Sequence, residues 1–88
     1  MINQEEKSII MELAKEYDVT SIYLFGSAST SSEYRDVDIG VQGLKPELFF
    51  EMYGKLLKNL PKSVDLIDLT PTSLFTELVL QNGVKIYG

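Results

Sequence analysis

The sequence predicts an α/β protein, with a small mixed β-sheet packed by helices. Three stretches carry apolar residues at the spacing of an amphipathic helix, and four short stretches are rich in residues that favour strands. These stretches follow one another without an internal repeat or a linker long enough to divide domains. We therefore expect one domain over residues 1–88, enough chain for a single thin core.

The first half of the chain is expected to fold as helix, strand, strand. Asn3 followed by Glu6 has the pattern of a capping box, and the apolar spacing after it predicts a helix over roughly residues 4–17. Strands are predicted at residues 20–25 and 36–42, because both runs are rich in residues that favour strands. The small polar residues between them are expected to form a loop or a first helical turn.

The second half is expected to fold as helix, strand, helix, strand. Pro46 suits the first turn of a helix whose aromatic residues are assigned to the core, namely Phe49, Phe50 and Tyr53. The strand at residues 63–69 is apolar on both faces apart from two acids, which favours a central place in the sheet. Thr70-Pro71 is expected to cap the last helix, and residues 84–87 to form a terminal strand.

Composition limits the chemistry that is available. The net charge is −5 and the basic residues are scattered, which argues against a nucleic-acid partner. The chain has no cysteine and no histidine, so any chemistry must depend on carboxylates. No run approaches the ~18 apolar residues of a membrane span, and the acidic amino terminus is unlike a signal peptide. We therefore expect a cytoplasmic protein with no membrane partner.

The functional residues are expected at one turn and on the strand after it. Asp36 and Asp38 are two positions apart on a strand, so their side chains project from the same face. Adjacent carboxylates repel each other unless a cation lies between them, and Mg²⁺ prefers oxygen ligands. At Gly26 and Ser27, a glycine permits close approach and a helical turn after it would offer free N–H groups to phosphate. Together these features predict a site for a nucleoside triphosphate with its magnesium.

Each feature alone also has a purely structural interpretation. A Gly-Ser pair after a strand is usually only a turn, and an Asp-x-Asp pair is more often a solvated strand edge. Gly40 shares the face of the two acids, where its missing side chain would either relieve crowding or leave room for a nucleotide. The occurrence of the features together, in this order, favours the functional interpretation.

Leu24-Phe25-Gly26-Ser27 followed by Asp36-Val37-Asp38 resembles the Gly-Ser…Asp-x-Asp signature of the nucleotidyltransferase superfamily, which includes DNA polymerase beta. The chain is most similar to the minimal nucleotidyltransferases, which are single-domain proteins of bacteria and archaea. The resemblance implies the nucleotidyltransferase fold and a third carboxylate on a later strand, where this chain has Asp65. By strand parity Asp68 lies on the opposite face, so it is expected to end the strand or cap the next helix.

The resemblance also implies a reaction. A nucleoside monophosphate, AMP or another, would pass from ATP or another triphosphate to a hydroxyl, with pyrophosphate leaving. Asp36, Asp38 and Asp65 would be the catalytic acids and the ligands of a two-metal Mg²⁺ site. Gly26 and Ser27 would bind the β- and γ-phosphates.

The acceptor is expected on another molecule, because a domain this small cannot enclose both a triphosphate and a sizeable acceptor. Minimal members of the family often pair with a helical HEPN-type toxin. The leading hypothesis is therefore an antitoxin that adenylylates a hydroxyl of such a partner.

Two alternatives stay open. One is a binding module with little or no catalysis, since only eight residues separate Ser27 from Asp36, fewer than is usual in the family. The other is a homodimeric enzyme that modifies a small molecule.

Overall fold

The computed structural model describes residues 2–26 and 36–88, so Ser27 and the loop predicted after it lie outside the described residues. The helices are α1 (Gln4–Glu16), α2 (Phe49–Asn59) and α3 (Leu74–Asn82), and a 3₁₀ turn (Pro46–Leu48) leads into α2. The strands are β1 (Ser21–Phe25), β2 (Asp36–Gln42), β3 (Ser63–Asp68) and β4 (Val84–Tyr87). None of these helices has the length and apolar character needed to span a bilayer.

The four described strands form one mixed sheet in the order β3-β2-β1-β4. Strand β2 is antiparallel to β1 and parallel to β3, and β4 is antiparallel to β1. The predicted mixed α/β fold is confirmed, but the prediction that β3 is central is wrong, because β3 lies at an edge. Val64 and Leu66 are buried while Asp65 between them is exposed, so the face of β3 that carries Asp65 is less covered than the core face.

The core lies on one face of the sheet. Alternation along β2 directs Val37, Ile39 and Val41 to this face, and all three are fully buried. Antiparallel pairing places Ile22 and Leu24 of β1 beside them. The helices complete the same cluster with Ile10, Leu13 and Ala14 from α1 and with Met52 and Leu56 from α2. Because β1 and β2 are anchored by this core, their opposite face is held in a fixed position.

The start of α1 is capped as the sequence predicts, whereas the start of α3 is capped by a different residue. Asn3 Oδ1 accepts a hydrogen bond from Glu6 N at 2.8 Å, and Glu6 Oε1 accepts one from Asn3 N at 3.1 Å, which confirms the predicted capping box. Helix α3 is capped by Ser73, whose Oγ accepts from Thr76 N at 3.0 Å. The predicted capping role of Thr70-Pro71 is therefore wrong, because the chain runs on as a turn before the helix begins.

The aromatic residues of α2 are not all in the core. Phe50 is 81% exposed, so its assignment to the core is wrong. Phe49 and Tyr53 are half-buried and pack against the core cluster. The buried side of α2 is formed by Met52 and Leu56, which are four residues apart and so lie on one face of the helix. Phe50 lies on the outer face.

Gly40 lies in β2 beneath Leu69, which is only 1% exposed. A Cβ at Gly40 would overlap Leu69 Cδ1 and come within 2.8 Å of Leu69 Cγ. Of the two interpretations offered for Gly40, relief of crowding is therefore the one that the packing supports.

We expect Gly40→Ala to lower the free energy of unfolding by about 1–3 kcal/mol, because the added methyl group must displace Leu69. In a Leu69→Ala background, where that space is open, the same change should cost much less. A double-mutant cycle in urea measures the difference between the two costs. An equal cost in both backgrounds would contradict the packing of Leu69 on Gly40.

Candidate functional site

Parallel pairing of β2 and β3 brings two of the predicted acids together. Asp38 and Asp65 are direct partners in the register of the two strands, so their side chains project from the same face. Asp36, paired with Ser63, lies two residues before Asp38 and shares that face. The two strands thus place three carboxylates on the surface opposite the core.

Asp38 is the most enclosed of the three acids. It is half-buried, whereas Asp36 and Asp65 are exposed. Burial raises the pKa of the Asp38 carboxyl above its usual value, and the negative charges of Asp65 and Asp36 raise it further. The site therefore concentrates negative charge that a bound cation would relieve.

The donor set suits Mg²⁺, because it offers only carboxylate oxygens. Within residues 2–26 and 36–88, no three acidic side chains stand close enough together to hold a metal ion by themselves. A magnesium ion usually keeps several waters and takes only one or two carboxylates, together with phosphate oxygens of the substrate. Asp38 and Asp65 fit that smaller requirement, and Asp36 adds charge beside them.

Gly26 bends the chain directly against Asp38. Phe25 is the partner of Asp38 in the β1–β2 register, and the next residue, Gly26, has a φ of 70°, in the left-handed region that favours glycine. A Cβ at Gly26 would overlap Asp38 Oδ2 and lie 3.3 Å from Asp38 Cγ. The glycine therefore lets the backbone touch the carboxylate. Ser27, the other predicted phosphate-binding residue, lies outside the described residues.

Tyr53 belongs to the site, although the sequence assigned it only to the core. Its hydroxyl donates to the Val64 carbonyl oxygen at 2.8 Å and lies 3.3 Å from Asp65 Oδ1. Its ring packs edge-on against Phe49, with centroids 6.0 Å apart. The sequence did carry a signal for this contact, namely a tyrosine within the apolar stripe of α2. A tyrosine hydroxyl that is buried normally has a hydrogen-bond partner, so a polar contact of Tyr53 could have been expected.

Asp68 ends β3 and takes no part in the acid cluster. Its Oδ1 accepts a hydrogen bond from Thr70 N at 2.9 Å, and it lies on the opposite face from Asp65. The prediction that it ends the strand is confirmed. Asp65 and Asp68 thus form a natural pair for comparison, with the same chemistry on the two faces of one strand.

The bend at Gly26 also borders a cavity of about 350 Å³ between the end of β1 and α3. Its walls are formed by Phe25, Gly26, Leu78, Val79, Asn82 and Gly83. Phe75 of α3 packs edge-on against Phe25, with ring centroids 5.8 Å apart. A second cavity, of about 310 Å³, lies between the start of α1 and the end of α2, where Asn3 and Pro61 contribute to its lining.

Several solved structures are similar to this chain over nearly its whole length. A crystal structure of a toxin–antitoxin with AMP-PNP has 30% sequence identity and a TM-score of 0.78, covering 93% of this chain and 73% of that one. The tri-AMPylated Shewanella oneidensis HEPN toxin in complex with its MNT antitoxin matches with 29% identity and a TM-score of 0.77, over 99% and 73% of the two chains. A mutant of the toxin–antitoxin MntA–HpeT with two Asp-to-Glu substitutions, two positions apart, matches with 27% identity and a TM-score of 0.78, over 99% and 74%.

The sequence itself matches a known family. Residues 7–88 match the family described as Polymerase beta, Nucleotidyltransferase, while no curated protein matches the chain. The predicted resemblance to minimal nucleotidyltransferases is confirmed by this match and by the antitoxin structures. Fold, sequence and relatives agree, and the chain belongs to the polymerase beta nucleotidyltransferase family.

Proposed function

We propose that this chain is a Mg²⁺-dependent nucleotidyltransferase that transfers AMP, or another nucleoside monophosphate, to a hydroxyl of a partner protein, as the antitoxin of a HEPN-type pair. The observation that carries the proposal is the register of Asp38 with Asp65, on one face, beside the bend at Gly26. The related structures support the choice of partner and substrate, since one contains a tri-AMPylated HEPN toxin and another contains AMP-PNP.

In this proposal the three acids have different roles. Asp38 and Asp65 would hold Mg²⁺, with Asp36 adding negative charge beside them, and the ion when bound neutralises negative charge on the phosphates. Gly26 would present a backbone without a side chain to the triphosphate. The acceptor oxygen attacks the α-phosphorus, its proton passes to Asp65, and the bond to the bridging oxygen breaks so that pyrophosphate leaves.

The position of Asp65 suits an acceptor that arrives on another protein. Its strand is at the edge of the sheet, and its side chain is exposed. Asp38 is more enclosed and lies one strand further in, beside the bend. A partner hydroxyl could therefore approach Asp65 from solvent while the triphosphate lies against Asp38 and Gly26.

The proposal is tested by incubating the chain with a HEPN-type partner, ATP and Mg²⁺, and measuring the intact mass of the partner. We expect the native chain and Asp68→Asn to add AMP to the partner, and Asp65→Asn to add none. The two variants remove the same charge from the same strand, so a difference between them reports on the acid face. Equal modification by both variants would contradict the role of Asp65.

A binding module without catalysis is the second candidate. Large apolar side chains lie exposed on the outer face of α2, where Phe50 is 81% and Leu57 51% exposed, as expected of a partner contact. This candidate predicts that Asp38→Asn binds and silences the partner as well as the native chain does, with no added mass on the partner. Size exclusion of the chain alone tests the homodimer alternative.

Tyr53→Phe tests the contact between α2 and Asp65. Losing this hydroxyl should lower the free energy of unfolding by only about 0.5–1.5 kcal/mol. Transfer should fall roughly tenfold, because partners that orient a metal ligand are worth about 10–100-fold. The unfolding free energy is measured in urea and the transfer rate by partner mass, with Tyr87→Phe on β4 as the control. A transfer rate equal to that of the control would show that Tyr53 does not position Asp65.

A further inference from the structure

We propose that two copies of this chain pair through the outer face of α2, with their helices antiparallel about a two-fold axis beside Gly54. The pairing goes beyond the proposed function, because it uses a surface remote from the acids. Helix α2 covers the core face of the sheet, whereas Asp38 and Asp65 lie on the opposite face. Each copy therefore keeps its own acid site, which distinguishes this dimer from an enzyme whose two copies share one cleft.

The outer face of α2 carries two large apolar side chains. Phe50 and Leu57 are both exposed, and they are seven residues apart, so they lie on the same side of the helix. The opposite side of α2 is held in the core by Met52 and Leu56, so the outer face cannot turn inward. Exposed apolar groups that lie together mark contact surfaces, and aromatic residues are enriched at such surfaces.

Gly54 lies at the centre of this face, four residues after Phe50 and three before Leu57. Glycine within a helix lowers stability relative to alanine. The fold of one copy does not require it, because a Cβ at Gly54 would meet no described atom within 4 Å. A position without a side chain lets a second helix approach closely, toward the short end of the range of about 8–10 Å between packed helices.

Two opposite charges lie on the other side of Gly54. Glu51 comes three residues before it and Lys58 four residues after it, and both are exposed. Because a helix turns once in 3.6 residues, these two positions share one side of the face, and Phe50 and Leu57 share the other. Lys58 makes no ion pair within residues 2–26 and 36–88. The face thus has an apolar side and a charged side.

This arrangement is complementary to itself only when the helices are antiparallel. A two-fold axis that crosses the helices at Gly54 reverses the chain direction and sets each side against the same side of the second copy. Phe50 then meets Leu57 of the second copy, and Glu51 meets Lys58 of the second copy, and each contact occurs twice. A two-fold axis parallel to the helices would set the apolar side against the charged side. Charge complementarity therefore identifies the occupant as a second copy in one orientation.

The affinity of this dimer should be modest. Helix α2 has 11 residues, and one face of it is smaller than the about 800 Å² that each partner contributes to a stable interface. We therefore expect a dissociation constant on the order of 100 µM.

Sedimentation velocity of the full chain, from about 10 µM to about 1 mM, tests the pairing. The native chain should pass from monomer to dimer across this range, and Phe50→Glu should remain a monomer. Leu74→Glu is the matched control, because Leu74 is 73% exposed but lies on α3, and this variant should pair as the native chain does. The thermal midpoint of Phe50→Glu should stay close to the native value, which separates loss of pairing from loss of folding.

Two charge variants test the orientation. Glu51→Lys should weaken the pairing about tenfold, because it sets positive charges against each other at both contacts, and Lys58→Glu should do the same with negative charges. When the two variants are mixed in equal amounts, they should pair with each other, because every such contact then joins opposite charges. If the mixture associates no better than either variant alone, the antiparallel arrangement is wrong.

The other outcomes are equally decisive. A native chain that is still a monomer at about 1 mM would overturn the pairing, and so would a dimer that survives Phe50→Glu. If the native chain is a monomer and Phe50→Glu loses binding to a HEPN-type partner, the face receives that partner instead of a second copy. Asp38→Asn should pair as the native chain does while it transfers no AMP, so a failure of the proposed function would leave this inference standing.

Discussion

Replacing Asp38 with asparagine should abolish nucleotide transfer and at the same time make the protein more stable. We expect transfer to fall at least about a hundredfold, because even partners one shell away from a metal are worth 10–100-fold. The midpoint of thermal unfolding should rise by about 2–4 °C, since the change removes a charge that is half-buried and is repelled by Asp65 and Asp36. Transfer is measured by the intact mass of the partner in the presence of Mg²⁺. Stability is measured by thermal unfolding in the presence of a chelator.

The stability of the native chain should also depend on pH through Asp38. Because burial and nearby acids raise its pKa, the folded chain keeps this proton to a higher pH than the unfolded chain does. Below both pKa values the group costs nothing, and the cost grows as the pH rises from the unfolded value of about 4 through the raised one. Asp38→Asn should remove this decline, whereas Asp68→Asn should retain it. An Asp38→Asn variant that is less stable at neutral pH and still transfers AMP would contradict the assignment.

Replacing Gly26 with alanine should impair both folding and transfer. The φ of 70° is unfavourable for alanine, and the new Cβ would overlap the Asp38 carboxylate. We expect a loss of about 1–3 kcal/mol in the free energy of unfolding. Transfer should fall about a hundredfold, because a displacement of one ångström at a reacting group costs about that much.

Gly54→Ala is the matched control for this change. Gly54 lies within α2, and a Cβ there would meet nothing within 4 Å. The same chemical change should therefore stabilise the helix by about 0.5–1 kcal/mol and leave transfer unaltered. Urea unfolding and the transfer assay compare the two variants. If Gly26→Ala behaved like Gly54→Ala, the bend would have no role at Asp38.

Features set by local periodicity could be predicted from the sequence. Strand β2 has the predicted bounds, and alternation along it correctly placed Asp36 and Asp38 opposite the buried Val37 and Ile39. The capping box of α1 was equally local. The strand order could not be predicted. Among the described strands β3 pairs only with β2 and therefore lies at the edge of the sheet, and the residues of β3 carry no pattern that indicates this position.

The candidate site was predictable to a similar extent. The place of Asp65 came from the family resemblance, since its register with Asp38 depends on how two distant strands pair. Tyr53 reaches Asp65 from a helix, and Leu69 fills the space over Gly40 from beyond the end of β3. Such contacts depend on tertiary packing, which residue spacing within one element does not encode.

We propose that the acids of β2 and β3 and the bend at Gly26 form one Mg²⁺–triphosphate site. Manganese can replace magnesium and broadens the NMR signals of nearby nuclei. In a spectrum recorded with a non-hydrolysable ATP analogue and a trace of Mn²⁺, we expect the amide signals of Gly26, Asp38 and Asp65 to be lost, while those of Gly54 and Tyr87 persist. Broadening centred instead on the acidic start of α1, with Gly26, Asp38 and Asp65 unaffected, would contradict it.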